Sequence, residues 1–265
     1  MKLIIFLIFV LLTSSQYSFA VIKRHDIPAK NYEVAKPPEY LVDMPHEGHG
    51  VLIAPRWIVT VAHTIFYDYT GKTIKVGNKD YEIAKVVIHS GYTKPDESLF
   101  KGDSKPLMDF FKKRDDIALI KLSSNVDDIT PIKLYEDTNE QGKTITVYGR
   151  GATGNGLVGE LAETKKLRSM NSFQNIIEES EGNWLSYKFD SPPNALDLEG
   201  MHGSGDSGGS SVIIKKNRIY LVGLSSWQSW DGELSLFKGG LYENNAYQVR
   251  ISSYYKWIHS VIKSN

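Results

Sequence analysis

The chain of 265 residues contains no cysteine. That absence excludes thiol nucleophiles, thiolate metal centres, iron–sulfur clusters and disulfide staples, so stability has to come from core packing. A surplus of charge is missing too: 31 Lys and Arg balance 31 Asp and Glu, and no basic stripe marks a nucleic-acid partner. The pairs Lys112-Lys113 and Lys165-Lys166 read as solvated surface. No apolar run reaches the roughly 20 residues that a membrane-spanning helix needs. The longest, residues 3–12, follows Lys2 and precedes Ser18-Phe19-Ala20, the pattern of a cleaved export signal. Residues 1–20 are therefore expected to be a signal peptide, leaving a secreted or periplasmic chain without an anchor.

The remaining apolar segments are short, rich in Val, Ile and Tyr, and separated by turn residues. Strands are expected at 50–53, 57–61, 73–76, 81–88, 117–122, 145–148, 211–214 and 219–225, with hairpin turns at Gly77-Asn78 and Lys216-Asn217. The pattern is all-β, of sandwich or barrel type. One helix is expected at the end, capped by Ser252 or Ser253, with Tyr254, Trp257, Ile258, Val261 and Ile262 on one face. His46-Glu47-Gly48-His49 lacks the spacing that puts two metal ligands on one helix face, so no metal site is expected.

Three segments carry chemistry. GSGDSGGSSV at 203–212 holds Ser207 among glycines. A serine nucleophile needs a base for its proton and fixed donors for the oxyanion it creates, and a backbone free of side chains lets N–H groups converge on one point. Alone, the segment is also compatible with a glycine turn. His63 ends the apolar run that begins at Trp57, where a lone histidine is usually structural, and Asp116 opens the apolar run 117–122, where a cap is the ordinary role. Together, in the order His, Asp, Ser, they form the constellation of an activated nucleophile.

On these residues the chain resembles the chymotrypsin/trypsin-like serine peptidases. TVAHT around His63, DIALIKL from Asp116 and GDSGGS around Ser207 match the family's three signature segments. VVIHSGY, Gly149-Arg150-Gly151, Ser225-Ser226-Trp227 and Gly239-Gly240-Leu241-Tyr242 are weaker echoes. The resemblance implies two six-stranded antiparallel β-barrels with a terminal helix, here 21–136 and 137–265, and a site in the cleft between them. It also implies His63, Asp116 and Ser207 as catalytic residues, and the N–H groups of Gly205 and Ser207 as an oxyanion hole. Met201 would floor the specificity pocket, with Ser226, Trp227, Gln228 and Gly240 as walls. No carboxylate stands at that floor, so apolar residues are expected before the scissile bond. A new N-terminus at Val21 would fold back and pair its ammonium with Asp206; a short propeptide ending at Lys23 or Arg24 is the competing start.

Departures accompany the match. The family's cysteines are replaced, by Thr64 and Gly203 among others, and Ser210 stands for the usual proline. With Ile22-Lys23-Arg24-His25-Asp26, this points to a bacterial secreted type. An insertion between His89 and Asp116, including Pro106 to Lys113, would overhang the non-prime side of the cleft, with Leu107, Met108, Phe110 and Phe111 either forming a substrate-binding flap or packing onto the barrel. The expectation is a monomeric endopeptidase acting on protein or peptide substrates without a cofactor. A catalytically inactive homologue that binds a partner, an esterase and a structural secreted domain are the alternatives. The esterase is disfavoured by the order of the three residues, since an α/β-hydrolase places its histidine last.

Overall fold

A computed structural model describes residues 18–161 and 168–265; most of the expected signal peptide and the Lys165-Lys166 pair lie outside the described residues. The architecture is mostly β, with two curled, largely antiparallel sheets and a C-terminal helix, as the resemblance implies.

The first sheet runs in the order Leu41–Asp43, His49–Ala54, Trp57–Thr60, Ala118–Leu122, Lys79–Ile88 and Thr73–Val76, every pair antiparallel. Its ends return to one another, Leu41–Asp43 beside Thr73–Val76, so the sheet nearly closes. Thr73–Val76 alternates exposed and buried side chains, as a half-buried strand must. Trp57–Thr60 is buried on both faces. Ile58, Leu52 and Ile120 line the interior of the curl, while Val59, Leu119 and Trp57 face Val212, Leu224 and Val249 of the second sheet. That double burial is why this segment reads as an unbroken apolar run.

The second sheet has eight strands, where six were expected. Its path is Asn171–Ile176, Thr144–Gly149, Ser210–Lys215, Arg218–Gln228, Asn245–Arg250, Trp184–Lys188 and Glu179–Glu181, and Lys133–Leu134 pairs in parallel with Arg218–Gln228. Lys216 and Asn217, with φ of 49° and 57°, make the hairpin turn expected between two of these strands. A small four-stranded sheet holds Val21–Lys23 between Thr153–Asn155, in parallel, and Gly200–Met201, antiparallel.

Two helices brace the sheets. The insertion forms α1, Lys105–Lys113, in which Leu107 is buried and Met108 and Phe111 pack against the core shared by the two sheets. Lys112 O accepts from Trp184 Nε1 at 2.9 Å, tying the end of α1 to the second sheet. The segment is therefore packed, the second of the two roles considered for it. The terminal helix α2, Ile251–Ser264, begins two to three residues earlier than expected and neither serine caps it. Ser252 Oγ instead donates to Glu140 Oε1, and Ser253 Oγ to Gly182 O. The buried Glu140 carboxylate also receives Arg250 Nε at 2.9 Å and Nη2 at 2.8 Å, so it takes a hydroxyl that sequence alone assigns to the helix end.

Breaking a buried ion pair from one side leaves an uncompensated charge. Glu140→Ala is therefore expected to lower the unfolding free energy by about 3 kcal/mol in urea denaturation, with no change in the m-value.

Candidate active site

His63 lies in a 3₁₀ turn, Ala62–Thr64, immediately after the strand Trp57–Thr60. Asp116 lies just before Ala118–Leu122, which pairs with that strand. The two residues thus come from neighbouring strands of the first sheet. Ser207 precedes Ser210–Lys215 of the second sheet. His63 Nδ1 is 2.6 Å from Asp116 Oδ2, and the His63 backbone N–H donates to Asp116 Oδ1 at 2.9 Å. With Nδ1 turned to the carboxylate, Nε2 faces Ser207 Oγ at 2.8 Å, the direction in which an imidazole accepts a hydroxyl proton.

Asp116 has no exposed surface. Its Oδ2 also accepts from Ser226 Oγ at 2.6 Å and from Arg114 Nη2 at 3.1 Å. Burial alone would raise its pKa, but the charges of His63 and Arg114 and the hydrogen bonds from His63 and Ser226 hold it below the usual carboxylate range. Ser226, placed by resemblance in a pocket wall, thus spends its hydroxyl on the carboxylate.

The backbone around Ser207 is fixed by its glycines. Gly205 has φ of 85°, a conformation that a side chain disfavours. Gly208, at φ 78°, approaches so closely that a Cβ there would stand 2.1 Å from His49 O. His49 N–H donates to Ser207 O at 2.7 Å, and the N–H groups of Asp206, Gly208 and Gly209 go to the carbonyls of Gly203, Ser225 and Asp206. Gly205 and Ser207 N–H have no such partner among the described residues, and remain available as a pair of donors.

Asp206 is fully buried, and Gly151 N–H and Gly203 N–H donate to it at 2.5 and 2.8 Å. His49 Nε2 stands 4.0 Å away. Burial lifts the Asp206 carboxyl to about 6, against the pull of His49 and the two N–H groups. Val21 is buried in the small sheet opposite Thr153, and the Val21 φ of 57° strains a β-branched residue. Lys23 is buried beside it, its Nζ donating to Ala20 O at 2.5 Å. Burial pushes that ammonium down to about 7, against the attraction of Asp206 and Glu33.

Met201 is buried. The strand opposite Trp227 and Gln228 carries Tyr247 and Ala246, not the Gly240 segment. A Cβ on Gly240 would meet Ile22 instead. The Gln228 carboxamide forms a crossbar, its Nε2 donating to His202 O at 2.6 Å and its Oε1 accepting from Gly240 N–H at 2.8 Å. Trp227 stacks on Tyr247, centroids 3.8 Å apart, with Phe111 of α1 tilted against it at 5.5 Å. Sequence reasoning passed over His202 and Arg114. His202 is buried, with Nδ1 3.1 Å from Tyr187 Oη, and burial and His63 hold its pKa down to about 3. Its position next to Met201 was the available signal; for Arg114 it was a cation two residues before Asp116.

A sequence model named Trypsin matches residues 33–258. Rat vitamin K-dependent protein C is 25% identical over 239 residues, which make up 80% of this chain and 45% of that protein. Mouse complement C1r-B subcomponent is 25% identical over 243 residues, 80% of this chain and 30% of that protein. The chain thus spans less than half the length of either relative.

Ser226→Ala removes one donor to the buried carboxylate and leaves the others. Reaction of Ser207 with a fluorophosphonate is expected to slow about tenfold, the worth of one charge-assisted hydrogen bond, and the melting temperature to fall by a few degrees.

Proposed function

Because the chain belongs to the trypsin family, we propose that it is an exported serine endopeptidase, hydrolysing peptide bonds through Ser207, His63 and Asp116 by way of an acyl-enzyme. The observation that carries this reading is the unbroken hydrogen-bond chain Asp116–His63–Ser207 across the two sheets. Ser207 Oγ attacks the scissile carbonyl while His63 Nε2 takes its proton. Asp116 holds Nδ1–H and stabilises the imidazolium, which then gives the proton to the leaving amine. The negative oxygen sits on Gly205 and Ser207 N–H, each donor worth roughly 3 kcal/mol. Water repeats the sequence on the acyl-enzyme. The absence of cysteine supports the bacterial, secreted subtype, although the relatives named above are rat and mouse proteins.

The primary pocket takes apolar side chains. Met201 at its floor offers no charge to a basic residue, and neutral His202 beside it offers none to an acidic one. The Gln228 crossbar limits the depth available. A peptide library read by mass spectrometry should show cleavage after small or medium apolar residues. Gln228→Gly should move the preference toward Phe and Tyr by about tenfold or more, the worth of one to two extra methylenes in an apolar pocket. A tenfold preference for Arg in the wild type would contradict this pocket. Asp116→Asn should lower kcat about 10⁴-fold, the magnitude known from the general template of this triad, with the fold intact.

Activation follows from removal of the leader. Cutting between Ala20 and Val21 relieves the strained Val21 φ and frees an ammonium for Asp206. In the uncut chain Asp206 titrates near 6, above its unfolded value of about 3.9. The folded state then holds more protons than the unfolded one between about pH 4 and 6, so stability falls as pH rises through that window. A chain that starts at Val21 has a partner for the carboxylate and escapes the loss. Its stability advantage over a chain extended before Val21 should therefore grow from pH 4 to pH 7, to roughly 3 kcal/mol, by urea denaturation. Full activity of an uncut, extended chain would rule out this activation.

A further inference from the structure

Arg114 brings a permanent positive charge to the carboxylate that serves His63. Its Nη2 donates to Asp116 Oδ2 at 3.1 Å, the same oxygen that faces His63 Nδ1 at 2.6 Å. The guanidinium is 5% exposed and lies over the Phe111 ring, 4.4 Å from its centroid, with Tyr92 at 5.6 Å. It is poorly satisfied for a buried cation, since its Nε has no hydrogen-bond partner among the described residues. The carboxylate is reached by one nitrogen and not by the bidentate fork that makes Arg–carboxylate pairs strong. A desolvated cation with one donor idle is a weak source of stability, and its larger effect falls on the neighbouring ring.

That effect is electrostatic. The Asp116 charge stabilises the imidazolium that forms when Ser207 gives up its proton. A guanidinium on the same oxygen cancels much of that charge as the ring feels it, so protonation of the ring is less favoured. Tyr92, Tyr254 and His202, which also surround the pair, are uncharged at neutral pH. Burial lifts Tyr92 to about 12 and Tyr254 well above its ordinary value, and His202 is held neutral. Asp115 is turned away into contacts with Asn183, Tyr254 and His89.

We propose that Arg114 is a positioning residue that moderates the Asp116 charge acting on His63, keeping the base in its working, neutral form at lower pH than the triad alone would allow. The cost is a weaker pull on the serine proton at the plateau. The inference rests on the peptidase reading above.

The test is the rate of fluorophosphonate incorporation at Ser207 as a function of pH, which requires no knowledge of the substrate. Arg114→Gln keeps a donor for Asp116 and lacks only the charge, and Arg114→Met lacks both. In each, the acid limb should move up by about one pH unit, whereas Arg114→Lys should keep the wild-type limb. Limbs of the Gln and Met variants that coincide with wild type overturn the proposal. Should neither fold, Phe111→Leu loosens the guanidinium while leaving it in place. That limb should rise by about 0.3 pH units, the worth of a cation–π contact, and no rise overturns the proposal. A wild type that takes no label at any pH brings down the peptidase reading and this inference together; a labelled wild type with unshifted variants brings down the inference alone.

Discussion

A carboxylate without exposed surface has to be met by donors, and meeting them at Asp116 organises the site. The backbone and ring of His63 come from the neighbouring strand of its own sheet, the hydroxyl of Ser226 from the second sheet and the guanidinium of Arg114 from the end of the insertion. Satisfying one charge therefore fixes the approach of the two sheets, the tautomer of the histidine and the seat of α1. The apolar core shared by the sheets, built on Val59, Leu119, Val212 and Leu224, holds that approach rigid.

Asp206 shows the same constraint unresolved. It is as buried as Asp116, yet it has two backbone donors and a histidine at 4.0 Å in place of a full set of partners. Its carboxyl is consequently pushed up where that of Asp116 is held down. The two aspartates differ in partners and not in burial, and this is why their carboxyls are shifted in opposite directions. The Asp206 backbone borders both Gly205 and Ser207, so its partner bears directly on the two N–H groups that the proposed mechanism assigns to the oxyanion.

The residues joined in the hydrogen-bond chain were legible in the sequence because each sits at a strand end whose apolar pattern is local: Trp57–Thr60 before His63, Ala118–Leu122 after Asp116. The hairpin at Lys216-Asn217 was legible for the same reason. What was not legible depends on contacts between distant segments. Nothing local says that Arg114 turns inward, since a cation near a strand is ordinarily solvated, and the Phe111 ring that covers it belongs to a helix the strand pattern does not announce. The crossbar from Gln228 to Gly240 was not legible, because it joins a strand end to a turn that the strand does not pair with. Ser252 and Ser253 read as caps until the buried Glu140 is seen to claim the first of them. The eight strands of the second sheet include two short additions, Lys133–Leu134 and Glu179–Glu181, too brief to carry a periodic signal.

The central claim is that Ser207, backed by His63 and Asp116, is a nucleophile that forms an ester with its substrate's acyl group. Pre-steady-state hydrolysis of p-nitrophenyl acetate tests it most directly, with the acid-quenched protein mapped by mass spectrometry. The account predicts a nitrophenol burst approaching one equivalent per chain and an acetyl group on Ser207. Steady release without a burst and unchanged in Ser207→Ala, or an acetyl group on any other residue, would contradict it.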